Sequence, residues 1–462
     1  MQCTEIPWIR REQAPLEAQP GHKGLPDALY GMQCSRACMN ADELYSSCVD
    51  GPDYSITGAE VFRYAMSPFF YYCEKFADRG GADPPPGNVK GGSPYVDDMD
   101  RGTALDCTGD KDCFRECIRL MFDGQDEICN APLLYLPEGI AGRPDILRKA
   151  EGRSIFGGHY YAPALVIMAL KPRRDHEMQA AFYSYLLHRI QGRRPEFTVV
   201  DGRGGIHDSP AGDNTDSVPG NIEGMRRIDS GHVPPAEVLR RPWTSYSIKK
   251  ALETGHLSLV LWLDGSKIRR LERSGIRDVS ALAGTTTSTI SSICRVDRRK
   301  AGILKGMARA AAEQKPIVFK DPEVDDTGAK SFLAVETERI DNRIEMSGAA
   351  VLVRDESGER RRTFEGDGMM DGISGFVRGS TVYYWGRRAL TLAESSGGQM
   401  PRGMRNLMEI FAESITFHLP LVDPEHISRE MGHPVENSVP GECIALRNIH
   451  DWLLSKRGQG SP

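Results

Sequence analysis

Long apolar runs are absent from this sequence, and so is a strong excess of charge of one sign. No stretch approaches the roughly 18 consecutive apolar residues of a membrane-spanning helix, and residues 1–17 carry charges and proline where a signal peptide has an apolar run. We therefore expect a cytoplasmic protein with no membrane partner. The 58 Lys and Arg residues face 64 Asp and Glu residues, a formal net charge of -6. Contact with nucleic acid therefore requires a local basic surface.

The composition is that of a globular protein. Its 462 residues exceed one ordinary hydrophobic core, so the length predicts two to four domains of roughly 100 to 200 residues each. Hydrophobic residues make up 40% of the chain and charged residues 26%, while 48 Gly and 29 Pro indicate many loops. These proportions exclude a collagen-like or wholly disordered chain.

The cysteines show no standard metal-ligand spacing. There are eleven, an odd number that favours reduced thiols or metal ligands over a disulfide framework. Cys34 and Cys38, and likewise Cys113 and Cys117, are spaced to share one face of a helix. A zinc or iron-sulfur site and a set of buried thiols are both open interpretations. The candidate ligands are Cys107, Cys113, Cys117 and Cys129.

Changes in composition and periodicity predict four segments. Residues 1–53 form a Cys-bearing N-terminal extension, 54–255 a first α/β domain, 256–315 a helical hairpin region and 328–462 a second α/β domain. The predicted helices cover 55–64, 113–122, 174–191 and 295–312, with two short helices flanking Ser274-Gly-Ile276 and further helices from about Arg402. The predicted strands cover 162–170, 331–337, 344–353 and 381–384, with paired strands over 132–148 and an exposed loop over 201–220.

A candidate catalytic carboxylate lies in Gly142-Arg-Pro-Asp145, directly after a tight turn at the start of an apolar strand. A metal-dependent nuclease needs such a fixed Asp. Downstream, Gln179 and Tyr183 lie at i and i+4 of one helix, so both project from one face, where they can contact a substrate phosphate or orient a lysine. The alternative is an Asp that caps a turn and a helix with a solvated basic side.

A candidate nucleic-acid surface surrounds Gly275. Backbone amides at a Gly-bearing hairpin can hold a phosphate, and basic side chains near it suit contacts that do not depend on base sequence. The basic residues are Lys267, Arg269, Arg270, Arg273 and Arg277. The alternative is a helical linker that packs the two α/β domains together.

The order of these motifs resembles the RecB-like branch of the PD-(D/E)XK nuclease superfamily. The matching motifs are Ile56-Thr-Gly-Ala-Glu60 with Ser67-Pro68, then Gly142-Arg-Pro-Asp145, then Gln179-Ala-Ala-Phe-Tyr183 with Gln191-Gly192. Residues 257–282 are similar to the helix-hairpin-helix of one group in that family, and 332–337 to the first strand of its C-terminal RNase H-like exonuclease domain. The resemblance implies an α/β protein with a restriction-endonuclease-like domain, a helical hairpin linker and an RNase H-like α/β domain.

The resemblance also implies which groups are missing from the first metal site. The family's strand after the Asp carries an acid, one spacer and a lysine, and the spacing from Gln179 assigns these places to Leu165 and Ile167. Lys171 replaces the lysine only if the strand slides by several residues. A lone Asp145 is a poor site for Mg or Mn, because such ions are usually held by several oxygen ligands.

Two further features of the family are changed in this sequence. Ser67-Pro68 stands where the family often has Cys-Pro, and residues 242–250 contain no Cys, so we expect the family's iron-sulfur cluster to be absent. In the C-terminal domain, Ala334 replaces the first acid of the family's Asp-Ile-Glu-Thr, Glu336 keeps the second, and Asp423 is the candidate for a later acid.

Three functions are consistent with the sequence. The first is a catalytically impaired RecB-like protein that serves DNA processing as a nucleic-acid-binding or partner-binding scaffold, with DNA preferred to RNA. The second is an active DNA nuclease in repair or defence that uses Mg or Mn, with Asp145, Glu151 or Glu177, and Lys171 rearranged into a working site. The third is an assembly subunit with protein partners and no affinity for nucleic acid.

Overall fold

A computed structural model describes residues 39–83, 107–167, 169, 171–202, 204–209, 214–337, 346–366, 368–386, 403–420 and 423–459, with the backbone alone of 89–90, 338–340 and 343–345. The predictions for Cys34 and Cys38, and for most of the N-terminal extension, lie outside these residues. Within them, no helix has the length and apolar character needed to cross a membrane.

The first α/β region begins with helices that are capped at their N-termini. Asn40 and Thr57 each form a capping box with a Glu three residues further on. Ser67 accepts hydrogen bonds from the main-chain N–H groups of Phe69 (3.0 Å) and Phe70 (3.2 Å), and the helix after it starts with proline. The helices are α1 Ala41–Val49, α2 Gly58–Met66, α3 Pro68–Phe76 and α4 Asp110–Asp123, and a 3-10 turn lies at Arg79–Gly81.

The main sheet of this region has the strand order β3-β6-β7-β8-β9. Its strands are β3 Glu127–Cys129, β6 Ile146–Ser154, β7 Gly157–Val166, β8 Phe197–Val200 and β9 Ile206–Ser209. The pairs β3/β6, β6/β7 and β8/β9 are antiparallel, whereas β7 and β8 are parallel. Parallel neighbours need a crossover, and helix α5 Arg174–Gln191 provides it.

Helix α5 forms where the sequence predicts it. It ends at Gly192 in the left-handed conformation (φ +72°), as expected of a glycine that terminates a helix. One face buries Phe182, Leu186 and Ile190 completely against the sheet. A smaller sheet with the order β1-β5-β4 lies beside it and is formed by β1 Ile56–Thr57, β4 Leu133–Tyr135 and β5 Ile140–Gly142. Helix α6 Val218–Asp229 also packs on this core.

A helical unit follows, with its own apolar core around Leu271, Leu282 and Ile290. Its helices are α7 Thr244–Thr254, α8 Gly265–Arg273, α9 Val279–Gly284, α10 Thr287–Cys294 and α11 Arg298–Glu313. The predicted pair of short helices around Gly275 is confirmed as α8 and α9. Helix α10 was not predicted, because its Ser- and Thr-rich sequence carries little helix propensity.

The second α/β region is a mixed sheet with the order β13-β12-β11-β14-β15. The strands are β11 Lys330–Ile340, β12 Arg343–Asp355, β13 Gly358–Glu365, β14 Thr381–Tyr384 and β15 Met404–Asn406, and β2 Val89–Lys90 pairs with β11. The first three are antiparallel, and β14 and β15 are parallel to β11. The helices are α12 Met369–Phe376, α13 Leu407–Ser414, α14 Pro424–Glu430 and α15 Val439–Ser455, and β10 Ile317–Val318 pairs with β16 Ile415–Thr416.

The expected α/β class is confirmed, whereas two local predictions are wrong and one strand was not predicted. Residues 206–209 form strand β9 within the expected loop, and β13 was missed because seven of its eight residues are exposed and four of them are charged in a row. The expectation of reduced cysteines fails at Cys107 and Cys113, which form a disulfide with Cα atoms 5.4 Å apart, within the usual range for such bridges.

Candidate functional site

The candidate carboxylate of Asp145 lies where β6 begins, beside the end of β7. Its Oδ2 accepts a hydrogen bond from the main-chain N–H of Val166 (2.7 Å), and its carbonyl accepts one from the N–H of Asn130 (3.0 Å). Burial raises the pKa of the Asp145 carboxyl, against the lowering effect of the Val166 N–H. The carboxylate is therefore fixed between two strands in surroundings that disfavour its charge.

Tyr183 joins three of the motifs into one pocket. Its Oη accepts a hydrogen bond from Nε2 of Gln179 (3.1 Å) and interacts with the main-chain N–H of Arg143. Its ring lies against two glycines: a Cβ at Gly58 would come within 2.5 Å of it and one at Gly142 within 2.8 Å. Both positions therefore require glycine, because a side chain would collide with the ring. The sequence prediction that Gln179 and Tyr183 share a face is confirmed.

The place next to Asp145 is apolar. The antiparallel register that pairs Ile146 with Ala164 brings Leu165 level with Asp145. Leu165 and Ile167 are each only 6% exposed and belong to the core of the first region. The position at which a second carboxylate would complete a metal site is therefore filled by a leucine that packs into the core.

The residues present do not fit a divalent metal. Mg²⁺ and Mn²⁺ prefer several oxygen ligands, and Asp145 offers one carboxylate that already accepts a main-chain hydrogen bond. Among the described residues, no group of three His, Cys, Asp or Glu side chains could hold a metal. Glu151 and Lys171 are exposed, and Glu177 accepts a hydrogen bond from Asn214 (3.3 Å).

The second candidate site, on β11, is covered by helix α15. Ala334 is 1% exposed and lies under this helix, where the buried thiol of Cys443 donates to the carbonyl of Ala350 (3.0 Å). Glu336 is 8% exposed, and a Cβ at Gly348 would lie 3.0 Å from its Oε2. Ala334 therefore belongs to a closed apolar layer between β11 and α15.

Asp423 lies in a different cluster of charges. It stands at the N-terminus of α14, 3.5 Å from His426 and 4.0 Å from Arg241. Asp83 approaches the same histidine at 3.6 Å. Hydrogen bonding to Asp423 and Asp83 raises the pKa of His426 to about 9. Burial opposes the ionisation of Asp83, but hydrogen bonds from His426 and Ser245 lower its pKa to about 2. The cluster connects three distant parts of the chain.

The four candidate cysteine ligands do not form a ligand set within the described residues. Cys107 and Cys113 are joined in a disulfide, which removes both thiolates from metal binding. Cys117 is fully buried one turn further along α4, with its sulfur 3.8 Å from that of Met121. Cys129 is 9% exposed and ends β3. Burial raises the pKa of Cys117 to about 12, so this thiol stays protonated.

The five basic residues of the helical unit divide into two groups. Lys267 pairs with Asp264, the N-cap of α8, and Arg270 donates to the carbonyl of Cys294 (3.2 Å). These two cations therefore stabilise the unit itself. Arg269, Arg273 and Arg277 are exposed and remain available to an external anion.

A second hairpin, missed in the sequence, lies 20 residues after the first. Gly275 (φ +85°) ends the turn of α8, and Arg295 (φ +56°) occupies the corresponding left-handed position after α10. The N–H of Ile276 bonds to the carbonyl of Leu271 (3.0 Å), and that of Val296 bonds to Ser291 (3.2 Å). The signal was hidden because the second turn has arginine where a glycine is expected.

An aromatic cluster joins α3 to the segment that leads into α7. Ser67 donates a hydrogen bond to Glu237, and Phe69, Cys73 and Trp243 share one small core. The fully buried indole of Trp243 donates to Oε1 of Glu74 (2.7 Å). Apolar packing and hydrogen bonds therefore hold these segments together.

Neither a scan against protein-family models nor a search of curated proteins finds a match to this chain.

Proposed function

We propose that this protein is a catalytically impaired, RecB-like member of the PD-(D/E)XK class that holds nucleic acid without cutting it. The strand order β3-β6-β7-β8, with α5 crossing between the parallel pair, supports a restriction-endonuclease-like first domain. The order β13-β12-β11-β14-β15, with three antiparallel strands followed by two parallel ones, supports an RNase H-like second domain. The convergence of Asp145, Gln179 and Tyr183 at one end of the first sheet supports the motif assignment.

One observation carries the loss of catalysis: Leu165 lies level with Asp145 and is buried in the core. A two-metal or one-metal hydrolytic site needs carboxylates that neutralise the ion and position water. An apolar side chain at that place can do neither. The raised pKa of Asp145 also disfavours the charged form of the one carboxylate that remains, and so weakens it as a metal ligand. In the second domain, the apolar layer that covers Ala334 likewise provides no carboxylate to hold an ion or position water.

Nucleic-acid binding is proposed for the helical unit. The exposed Arg269, Arg273 and Arg277 lie on or next to its first hairpin and supply positive charge on a chain that is otherwise acidic. Contacts of this kind recognise the phosphate backbone and not the base sequence. DNA is the expected ligand because the family that the motifs resemble acts on DNA.

The proposal is tested by cleavage and gel-shift assays on labelled single- and double-stranded DNA with Mg or Mn. Wild type and Asp145→Ala are expected to bind equally and to leave the DNA intact. Replacing the three exposed arginines of the helical unit by glutamate is expected to abolish binding. A charge-matched control replaces three exposed arginines elsewhere, namely Arg119, Arg378 and Arg429.

The salt dependence gives a second readout. Each lost phosphate contact is expected to reduce the slope of log K against log salt by about 0.9. Metal-dependent cutting that Asp145→Ala abolishes would overturn the loss of catalysis. If the wild-type protein binds no nucleic acid at all, the proposed binding function is refuted and the alternative of an assembly subunit is favoured.

A further inference from the structure

Trp262 projects from a tight turn that leads into α8. The N–H of Leu263 bonds to the carbonyl of Val260 (3.3 Å), which closes a four-residue turn. Val260 is 1% exposed and Leu263 is 8% exposed, so both ends of the turn are anchored in the core of the helical unit. Trp262 itself is 61% exposed, the highest value among the large exposed hydrophobic residues of the described chain.

The backbone of this turn favours a different residue. Trp262 has a φ of +70°, and the third position of such a turn normally takes glycine because a side chain strains the left-handed conformation. The anchoring residues on either side keep the turn in place without the indole. The fold therefore holds a large ring in solvent at a position where glycine would be more stable.

Basic residues follow Trp262 along α8. Nζ of Lys267 donates to the carbonyl of Trp262 (3.3 Å) while pairing with Asp264. The guanidinium of Arg269 reaches back along the helix, because a Cβ at Gly265 would lie 3.6 Å from its Nη1. Arg273 lies four residues after Arg269 on the same face of α8. The two positive charges repel each other at this spacing, and an anion bound between them would offset the repulsion.

We infer that Trp262 stacks on an unpaired base of a single-stranded nucleic acid whose phosphates lie along Arg269 and Arg273. This inference rests on the proposed function and names its substrate class. An exposed aromatic ring beside a basic track is the arrangement that binds single strands without sequence preference. A duplex offers base faces only at its ends, so the interior of a duplex leaves the indole without a partner.

The test measures binding of a fluorescein-labelled 20-mer of oligothymidylate and of a blunt duplex of the same length by anisotropy. Trp262→Ala is expected to weaken single-strand binding about 5- to 100-fold, the range for one lost base stack, and duplex binding less than twofold. Trp262→Phe is expected to retain most of the single-strand affinity. Phe319→Ala, which removes another exposed aromatic ring (46% exposed), is the matched control and is expected to bind as wild type does.

Trp262→Gly separates stacking from folding. Glycine adopts the left-handed turn without strain, so this variant is expected to melt at or above the wild-type temperature and still to bind single strands as weakly as Trp262→Ala.

Three results would overturn the inference. Unchanged single-strand affinity in Trp262→Ala would refute stacking but leave the proposed function intact. Wild type that binds no nucleic acid would refute the proposed function and the inference together. A wild-type dimer in sedimentation that Trp262→Ala converts to a monomer, with unchanged DNA affinity, would show that the ring contacts a second copy of the chain.

Discussion

Replacing Trp243 by alanine tests whether an aromatic cluster holds α3 to the segment that leads into α7. Trp243 has 0% exposure, and its ring makes an edge contact with Tyr246 at a centroid distance of 5.7 Å. Truncating a buried Trp to Ala typically reduces the free energy of unfolding by about 3 to 5 kcal/mol. The lost indole N–H also leaves Oε1 of Glu74 without its 2.7 Å donor, which adds about 1 kcal/mol. The expected total is about 4 to 6 kcal/mol.

The assay is urea unfolding followed by far-ultraviolet circular dichroism. Trp243→Phe separates the two contributions, because it retains a buried ring and loses the hydrogen bond, so its loss is expected to lie near the hydrogen-bond contribution of about 1 kcal/mol. Trp262→Ala is the control, since that ring is 61% exposed and its removal is expected to change stability by less than about 1 kcal/mol. A loss below about 1 kcal/mol for Trp243→Ala would refute the view that this cluster holds the segments together.

Three further predictions concern the polar groups of the core. Tyr183→Phe removes the oxygen that accepts from Gln179, so the free energy of unfolding is expected to fall by about 1 to 3 kcal/mol in urea titrations, and an unchanged midpoint would contradict the contact. Asp145→Asn is expected to raise the melting temperature at pH 7.5. Burial raises the pKa of Asp145 in the folded state, so the charged carboxylate destabilises the fold at pH values above that pKa. The difference in melting temperature between Asp145→Asn and wild type should therefore shrink as the pH falls through that pKa. A difference that grows on acidification would contradict this reasoning. The free energy of unfolding of His426→Gln is expected to be about 3 kcal/mol below that of wild type at pH 6, because the buried carboxylate of Asp83 loses its cation. The pKa of His426 is raised to about 9 in the folded state, so the stability that its charge provides is complete below about pH 6.5 and is lost as the pH rises through 9. The urea midpoints of wild type and His426→Gln should therefore converge by pH 10. A difference that stays constant with pH would contradict this prediction.

The elements with a strong period were predictable from sequence. Helix α5 was expected at 174–191 and has these bounds, because its apolar face repeats at the helical period and a glycine follows its last residue. The strands β11 and β12 were predicted by the same argument from alternating apolar residues. Strand β13 was not, because a charged edge strand is stabilised by main-chain pairing with β12, which leaves no apolar pattern.

The candidate site was predictable in its parts but not in its arrangement. The spacing of Gln179 and Tyr183 predicted a shared face, and the apolar character of Leu165 is visible in the sequence. That Leu165 lies level with Asp145 depends on the register between β6 and β7. The role of Gly58 as a neighbour of the Tyr183 ring also depends on packing between segments 125 residues apart.

The sequence by itself determined the strongly periodic local elements, the α/β class and the apolar character of Leu165, Ile167 and Ala334. These follow from periodicity, capping and residue chemistry, which act within a few residues of the chain. Only the tertiary structure decided that Lys267 and Arg270 serve the helical unit itself, while Arg269 and Arg273 stay exposed. It also decided that Trp262 projects into solvent. The physical reason is that the partner of a charged group or an aromatic ring depends on which distant segments of the chain are brought together on folding. Such contacts produce no periodic pattern in the sequence.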